Sequence, residues 1–243
     1  MIMRKITVKR FTKFPITFFG EVAGECYGAD TSDMQKNYER GLDCLNKNHG
    51  RVTEFGDVVV KIEGFSARVI RELYTHIIGT SRLQASTRYI NYEDAYYFIP
   101  NSMYDSNYSL TIYESVMNDL YKGYAKLIAQ KVPKQDAANV LPLGMTSTVM
   151  LKINARALIH LAHTRLCQRA YHEMRDLTMA ILDAVSATDN EWKVFIDTYC
   201  VVKCDDLGYC PENVQDCLSV PKDLAKKYIK EMDVKLSAEG EKI

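Results

Sequence analysis

Hydrophobic and polar residues alternate from Lys5 to Lys9, with Ile6 and Val8 on one side, which predicts a strand. The period changes between Asp33 and Lys47, where Tyr38, Leu42 and Leu45 share a helical face, and Asn48-His49-Gly50-Arg51 then breaks the helix. The β-branched run Val58-Val59-Val60-Lys61-Ile62 predicts a buried strand. Ser66 to Tyr74 reads as a helix with Val69, Ile70 and Leu73 on one side, and Gly79 marks a turn. Thr87 to Tyr92 is a second strand-like stretch, and Tyr96 to Tyr108 is an aromatic loop punctuated by Pro100 and Asn101. Ser109 to Lys131 predicts a long amphipathic helix in which Leu110, Ile112, Val116, Leu120, Tyr124 and Leu127 fall near helical period, with Pro133 ending it. Val140-Leu141-Pro142-Leu143-Gly144-Met145 is a turn-bounded apolar segment, and Ser147 to Leu151 reads as a strand. The longest helical region, Asn154 to Ala187, is expected as two helices broken near Cys167. Lys222 to Lys235 is a last amphipathic piece before a frayed tail, Ser237 to Ile243. No repeat, low-complexity tract or linker interrupts the pattern. The expectation is therefore a single α/β or α+β domain over residues 1–220, followed by a C-terminal helix and tail over 221–243.

With 243 residues, 47% of them hydrophobic, the chain can bury a core without a disulfide or metal staple. Basic and acidic residues number 31 each, so the net charge is zero, which argues against a protein that coats nucleic acid. A small anionic ligand needs only a few placed Arg side chains and is not excluded. The basic start, Met1 to Lys13, lacks the apolar run of a signal peptide. No stretch of about 18 apolar residues could span a membrane. The expectation is a cytoplasmic protein that binds neither membrane nor nucleic acid. Of seven cysteines, four (Cys200, Cys204, Cys210 and Cys217) crowd together near the end, without the paired Cys-x-x-Cys spacing of a zinc ribbon. They are read as reduced thiols in a late loop, and no metal is expected.

Two segments carry candidate chemistry. In the first, Arg71 to Tyr89, hydroxyls, arginines and Gln84 cluster where the chain leaves a helix and turns. Backbone N–H groups, hydroxyls and guanidinium forks in one loop can cradle a phosphate, although Ser and Thr clusters also mark ordinary turns. In the second, Asn154 to Arg169, positions 154, 158, 161 and 165 share one helical face, and 156, 160, 163 and 167 share another. Arg156, His160 and His163 thus form a polar stripe on an otherwise apolar helix, facing a ligand, another subunit or water. No Gly-x-Ser-x-Gly, Gly-x-Gly-x-x-Gly or Walker loop is present, and no Cys sits where a catalytic thiol is marked.

Taken together, these segments resemble the flavin-dependent thymidylate synthases. The resemblance rests on Thr75-His76-Ile77, Ser86-Thr87-Arg88-Tyr89, Leu141-Pro142-Leu143, Asn154-Ala155-Arg156, Arg165 and His172-Glu173, with Asn48-His49-Gly50 and Glu54-Phe55 as an earlier block. It covers roughly residues 10 to 200. The chain departs from the family in several places: Glu72 stands where relatives often have Gln, and Arg169 where relatives carry His. Only the His of an Arg-His-Arg is kept, with a gap to Ser86 one residue longer, and Ala137-Ala138-Asn139-Val140 lacks the Arg that often precedes Leu-Pro-Leu. Leu83-Gln84-Ala85-Ser86-Thr87-Arg88-Tyr89 and Leu141-Pro142-Leu143-Gly144-Met145 resemble a divergent branch of the family.

The resemblance implies a central mixed or antiparallel sheet flanked by long helices, in a homotetramer with active sites at subunit interfaces. It implies FAD as cofactor, NADPH and methylenetetrahydrofolate as co-substrates, and dUMP as the nucleotide methylated to dTMP. Arg165 matches the residue that contacts the uracil ring and is the implied catalytic group. Glu72, Gln84, Ser86, Thr87 and Arg88 match dUMP-binding positions, with Arg82 as a helper at the phosphate. Arg51, His76, Gln84, Asn154, Arg156, His160 and Arg169 match FAD-binding positions. The departures keep two other readings open: a methylase or hydroxymethylase for another pyrimidine nucleotide such as dCMP, and a non-catalytic paralogue that binds nucleotide or flavin.

Overall fold

The computed structural model describes residues 4–212 and Cys217. In chain order its elements are β1 (Lys5–Phe11), α1 (Pro15–Glu25), α2 (Met34–Asn46), β2 (Asp57–Ser66), α3 (Ala67–Leu73), β3 (Thr80–Gln84), α4 (Asn107–Ala129) and α5 (Lys134–Ala137). They continue with β4 (Thr146–Asn154), α6 (Ala155–Arg165), α7 (His172–Ser186), α8 (Asn190–Tyr199) and α9 (Lys203–Leu207). The described residues form two compact units, each built from two stretches of chain. The first takes residues up to Thr12 together with Asp57–Asn154, and the second takes Lys13–Gly56 together with residues from Ala155 on. The expected helix Lys222 to Lys235, the tail Ser237 to Ile243 and the division at residue 221 lie outside the described residues. No helix among the described residues is long and apolar enough to cross a membrane.

The first unit is organised by a four-stranded antiparallel sheet in the order β1-β2-β4-β3. The two central strands alternate as the sequence pattern requires. Val58, Val60 and Ile62 of β2 and Val149, Leu151 and Ile153 of β4 are all at 0% exposure, and they pair directly across the ladder. The register shifts between Ile62 and Phe65, where Gly64 takes φ +79°, a conformation that costs glycine little. The helix read from Ser66 to Tyr74 is α3: Ser66 caps it by accepting from Val69 N at 3.2 Å, and Val69, Ile70 and Leu73 are buried.

Two expectations are corrected here. The strand after Gly79 is Thr80–Gln84, not Thr87 to Tyr92. Ala85 N still bonds to Thr148 O at 2.8 Å, but the next residue ends the ladder. Ser86 O accepts from Tyr89 N and Ile90 N, and Ser86 Oγ accepts from Arg88 N at 3.2 Å, so a turn replaces the strand that Thr87, Tyr89 and Ile90 suggest by propensity. In α4 the buried face is Met117, Tyr121 and Tyr124, whereas Ile112 and Val116 are exposed. The aromatic loop explains the rotation. Tyr97 lies with its ring centroid 6.2 Å from that of Tyr121 and 6.1 Å from that of Tyr113, and the Tyr113 hydroxyl donates to Phe98 O at 2.8 Å.

The second unit is helical. Its helices α1 and α2 approach backbone to backbone: a Cβ on Gly20 would lie 1.7 Å from Asn37 O, and one on Gly41 would lie 2.0 Å from Ile16 O. Helix α1 has no side-chain cap of its own, because Phe14 precedes it with φ 49°. Its cap is Glu191, which accepts from Thr17 N at 2.8 Å and Thr17 Oγ1 at 2.5 Å, while Asp189 caps α8 by accepting from Glu191 N at 2.7 Å. Phe19, Trp192 and Phe195 fill the space behind these caps, with ring centroids 5.9 Å apart for Phe19–Phe195 and 5.6 Å for Trp192–Phe195. The long helical region divides as expected into α6 and α7, with Cys167 in the break.

Glycines at two helical positions should respond oppositely to the same change. Gly41→Ala forces α1 and α2 apart and should lower stability by about 1–3 kcal/mol. Gly123, inside α4, has open space where a Cβ would go, so Gly123→Ala should raise stability by about 0.5–1 kcal/mol. Urea unfolding of the two variants checks both signs. Equal midpoints would show that the α1–α2 approach is not close.

Candidate functional site

The first unit holds Glu72, His76, Gln84, Ser86, Thr87, Arg88 and Asn154. Glu72 is half-buried in the last turn of α3, and His76 is buried just beyond it. Gly79 then turns the chain with φ +72°. A Cβ there would lie 2.5 Å from Asn154 Oδ1, so Asn154, the last residue of β4, is seated directly on a glycine. Its backbone N–H also bonds to Gly79 O at 2.9 Å.

Arg82 braces this turn. Its guanidinium donates to Tyr74 O at 2.6 Å and to His76 O at 3.0 Å, and lies 4.8 Å from the centre of the Tyr74 ring. Both bonds come from Nη1, so that nitrogen of Arg82, expected as a phosphate helper, serves the turn. Gln84 is half-buried, with Nε2 donating to Ser147 Oγ at 3.2 Å. Ser86 and Thr87 are half-buried in the turn that follows, and Arg88 is exposed, 5.8 Å from the centre of the Tyr89 ring. Hydroxyls and a solvent-facing guanidinium thus gather at one turn, a donor set suited to an anion. Beside it, Ala85, Tyr92, Ser147 and Glu63 line a groove of about 600 Å³.

In the second unit, Arg51 is exposed on the short 3-10 turn Gly50–Glu54. Arg156, near the start of α6, forms an ion pair with Glu54 of that turn. His160 follows one helical turn later and is exposed. Arg165, the last residue of α6, is half-buried and lines a pocket of about 440 Å³ with His163, Cys167, Arg169 and Cys204. Arg169 is exposed and paired with Glu212. The structure thus places Arg156 beside the turn that carries Arg51 at one end of α6, and Arg165 with Arg169 in one pocket at the other.

Burial holds the His163 ring below its usual pKa, against the opposing pull of Asp206 3.9 Å away, which favours the neutral imidazole at pH 7. Its Nε2 is buried without a hydrogen-bond partner. The cysteines are not simply thiols in a late loop: Cys200 ends α8 and Cys204 lies in α9, both buried. Burial pushes the Cys200 thiol far up, and it raises Cys204 as well, with Asp205, Cys210 and Cys217 adding to the shift.

Sequence reasoning missed three supports. Arg82 is one. Ser147 is another, and its signal was a hydroxyl opening the apolar strand β4. The third is Arg175, which donates to Gln168 O at 2.6 Å and Ala170 O at 2.7 Å and so shapes the break between α6 and α7. A guanidinium on loop carbonyls leaves no mark in the local pattern.

Comparison with known proteins gives a consistent result. The family model of the thymidylate synthase complementing protein matches residues 19–189. The flavin-dependent thymidylate synthase of Pyrococcus furiosus is 27% identical over 225 residues, covering 86% of this chain and 90% of its own. That of Nitratidesulfovibrio vulgaris is 28% identical over 207 residues, covering 82% and 78%. Among solved structures, the UMP/dUMP methylase PolB from Streptomyces cacaoi, bound with 5-Br dUMP, superposes with a TM-score of 0.68 at 16% identity, covering 84% of this chain and 98% of that one. The flavin-dependent thymidylate synthase ThyX from Helicobacter pylori, complexed with FAD and dUMP, gives 0.63 at 19% identity, covering 81% and 99%. At these identities the structural likenesses establish a shared fold.

The brace at Arg82 is open to a direct test. Arg82→Ala strips two carbonyls of their charge-assisted partner and should lower stability by about 1–3 kcal/mol. Arg82→Lys should recover only part of the loss, because an ammonium lacks the planar guanidinium that lies on the Tyr74 ring while its Nη1 bonds both carbonyls. Denaturant midpoints check the order. An alanine variant as stable as the parent would mean that the turn holds without the brace.

Proposed function

The chain belongs to the family of thymidylate synthase complementing proteins, and from that premise we propose that it is a flavin-dependent thymidylate synthase. In this reading it converts dUMP to dTMP by reductive methylation, with FAD as cofactor, methylenetetrahydrofolate as one-carbon donor and NADPH as reductant. The observation that carries the proposal is the extent of the family match, which spans both the Ser86-Thr87-Arg88 turn and Asn154 of the first unit and the Ala155–Arg169 stretch of the second.

The donor set of the second unit fits a flavin dinucleotide. Arg51 lies on the 3-10 turn whose Glu54 pairs with Arg156 of α6, and His160 lies one turn further along that helix. Two guanidinium groups in one place suit a diphosphate, with Arg156 exchanging its exposed pairing to Glu54 for the ligand. His76, Gln84, Asn154 and Arg169 complete the proposed FAD contacts. FAD, once bound and reduced by NADPH, would supply the hydride that turns the transferred methylene into a methyl.

The nucleotide is assigned to Glu72, Gln84, Ser86, Thr87, Arg88 and Arg165. Arg88 carries the phosphate, because Arg82 is held by backbone carbonyls and Arg88 faces solvent. Ser86 and Thr87 add hydroxyls beside it. Gln84 presents an amide that donates and accepts, held by Ser147. Glu72 accepts only, which suits a ribose hydroxyl. Arg165 is the proposed catalytic residue: a fixed cation at the pyrimidine's N3–O2 edge stabilises the negative charge that develops as C5 attacks, with no covalent thiol. A homotetramer with active sites shared between subunits is the assembly this reading requires.

The deciding experiment is an anaerobic reaction of flavin-loaded protein with NADPH and methylenetetrahydrofolate, offering equal dUMP and dCMP and reading products by mass. One added methyl on dUMP alone is the expected result. Addition to dCMP would keep the chemistry and change the substrate, and no product from either would leave a non-catalytic nucleotide-binding paralogue. Arg165→Ala should reduce kcat by about 100-fold or more while the protein stays yellow. Arg88→Ala should raise the KM for dUMP more than it lowers kcat. Saturation by dUMP unchanged in that variant would remove Arg88 from the phosphate site.

A further inference from the structure

In the second unit, α7, α8 and α9 border a groove of about 560 Å³, none of whose lining residues belongs to the proposed flavin or nucleotide site. Much of its lining is apolar. Leu182, Ile196 and Val202 are almost wholly buried there, whereas Met179 stays 47% exposed and would gain from being covered. Three carboxylates, Asp183, Asp197 and Asp205, lie in the same lining, all exposed. The cation among the lining residues is Arg175, whose Nη1 is already bonded to Gln168 O and Ala170 O. Burial raises the Asp205 carboxyl above its usual range, a cost that a cation beside it relieves. Asp197 meets Lys193 in an exposed pair that another cation can share or replace. The groove therefore suits an occupant that is apolar on one side and basic along its borders.

The chain carries a sequence of that kind. Residues 222–235 lie outside the described residues, but their pattern is amphipathic at helical period. Leu224, Ala225, Tyr228, Ile229 and Met232 fall on one side, and Lys222, Lys226 and Lys227 flank it. Five lysines oppose three acidic residues (Asp223, Glu231 and Asp233) over this stretch, a net charge of +2 against the three carboxylates of the groove. Where the described chain ends decides the reach. Glu212 is paired with Arg169, Cys217 lines the pocket at the end of α6, and Val202 belongs both to that pocket and to the groove. The five residues from Cys217 to Lys222 can span about 17 Å when extended. The segment thus starts within reach of the groove.

We propose that residues 222–235 dock in this groove of their own chain as an amphipathic helix, with the apolar side on Met179, Leu182, Ile196 and Val202 and the lysines beside Asp183, Asp197 and Asp205. A helix of that length is marginal by itself in water, so its formation and its docking are one event. Loss of the groove's apolar or acidic character should then release the helix as well. Leu166 and Gln168, from the break between α6 and α7, line the same groove, so docking braces that break from outside. The proposal is independent of the assigned reaction, and its readout is backbone protection rather than activity.

Hydrogen exchange of the full-length protein, read by mass spectrometry, should show the amides of residues 222–235 exchanging roughly 10-fold or more slowly than in a free peptide of the same sequence. Met179→Arg puts a cation into the groove and should return them to the peptide rate, while Val194→Arg, on an exposed position of α8 outside the groove, should not. If Met179→Arg does not fold, Ile229→Asp, within the segment itself, takes its place. The double variant Asp183→Lys, Asp197→Lys should lose most of the protection, and adding Lys226→Glu and Lys227→Glu should restore it. Carboxyl-to-amine cross-linking of mixed isotopically light and heavy chains should join segment and groove within one chain. Peptide-like exchange in the unaltered protein overturns the proposal, as does protection that survives both Met179→Arg and Ile229→Asp. Cross-links found only between light and heavy chains also overturn it, and give the groove to a second copy.

Discussion

The register between β2 and β4 is the constraint on which the first unit depends. Both strands are central, and alternate residues of each are fully buried. A slip of one residue would turn Val58, Val60, Ile62, Val149, Leu151 and Ile153 outward together, so the pairing is set by the whole apolar set at once. Everything chemically interesting in that unit is placed by β4. Its pairing with β3 sets Leu83 against Met150 and Gln84 against Val149, which brings the Gln84 amide to Ser147. Its last residue, Asn154, lies on Gly79. The turn that offers Ser86, Thr87 and Arg88 begins where the β3–β4 ladder runs out. A site residue here is a position in a register, and the hydrophobic core, not the site, chooses the register.

That is also why some elements were legible in the sequence and others were not. Helix α2 and strand β2 carry their own signals: Asp33 accepts from Gln35 N and Lys36 N at the start of the helix, and β2 is a β-branched run with period two. Helices α1 and α8 went unread. Helix α1 begins after Phe14 in a left-handed conformation, and its cap, Glu191, lies 174 residues away. No local window contains that information. The strand placed at Thr87 to Tyr92 was misplaced for the converse reason: the residues favour a strand, but one hydroxyl and one carbonyl of Ser86 capture the N–H groups of Arg88, Tyr89 and Ile90. The rotated face of α4 has a similar origin, since what it buries is an aromatic loop that offers rings and carbonyls in place of aliphatic side chains.

The candidate site was readable residue by residue but not in its division of labour. The motifs name arginines without saying which are ligands and which are struts. Arg82 and Arg175 each bind two backbone carbonyls and hold a bend, whereas Arg88 faces solvent and Arg51 stands at the turn that Arg156 reaches. Arginine suits both tasks because a guanidinium carries five donors: one Nη1 serves both carbonyls at each bend, and the planar group can equally meet phosphate oxygens. Zero net charge is compatible with this arrangement. Anion binding depends on a few guanidinium groups in one place, and the balancing carboxylates can sit anywhere else on the chain.

The thiols constrain the chemistry from the other side. A methylase that activates its pyrimidine by covalent attack needs a thiolate, and so a cysteine whose pKa is pulled down by a neighbouring cation or helix end. Here every cysteine with a resolved shift, Cys44, Cys200 and Cys204, is pushed upward, and in each case burial is the leading cause. Those sulfurs are protonated at neutral pH and are packing groups. None of these three thiols is therefore suited to covalent attack on a pyrimidine, whereas the proposed flavin-dependent route activates the base with charge beside the ring and reduces the carbon with a hydride from a cofactor. In the proposed reading the half-buried guanidinium of Arg165 supplies that charge, and partial exclusion of water strengthens its field at short range. In the same reading a flavin supplies the hydride, and the absence of a depressed thiol among these three sulfurs is what the flavin-dependent route, unlike the thiolate route, can tolerate.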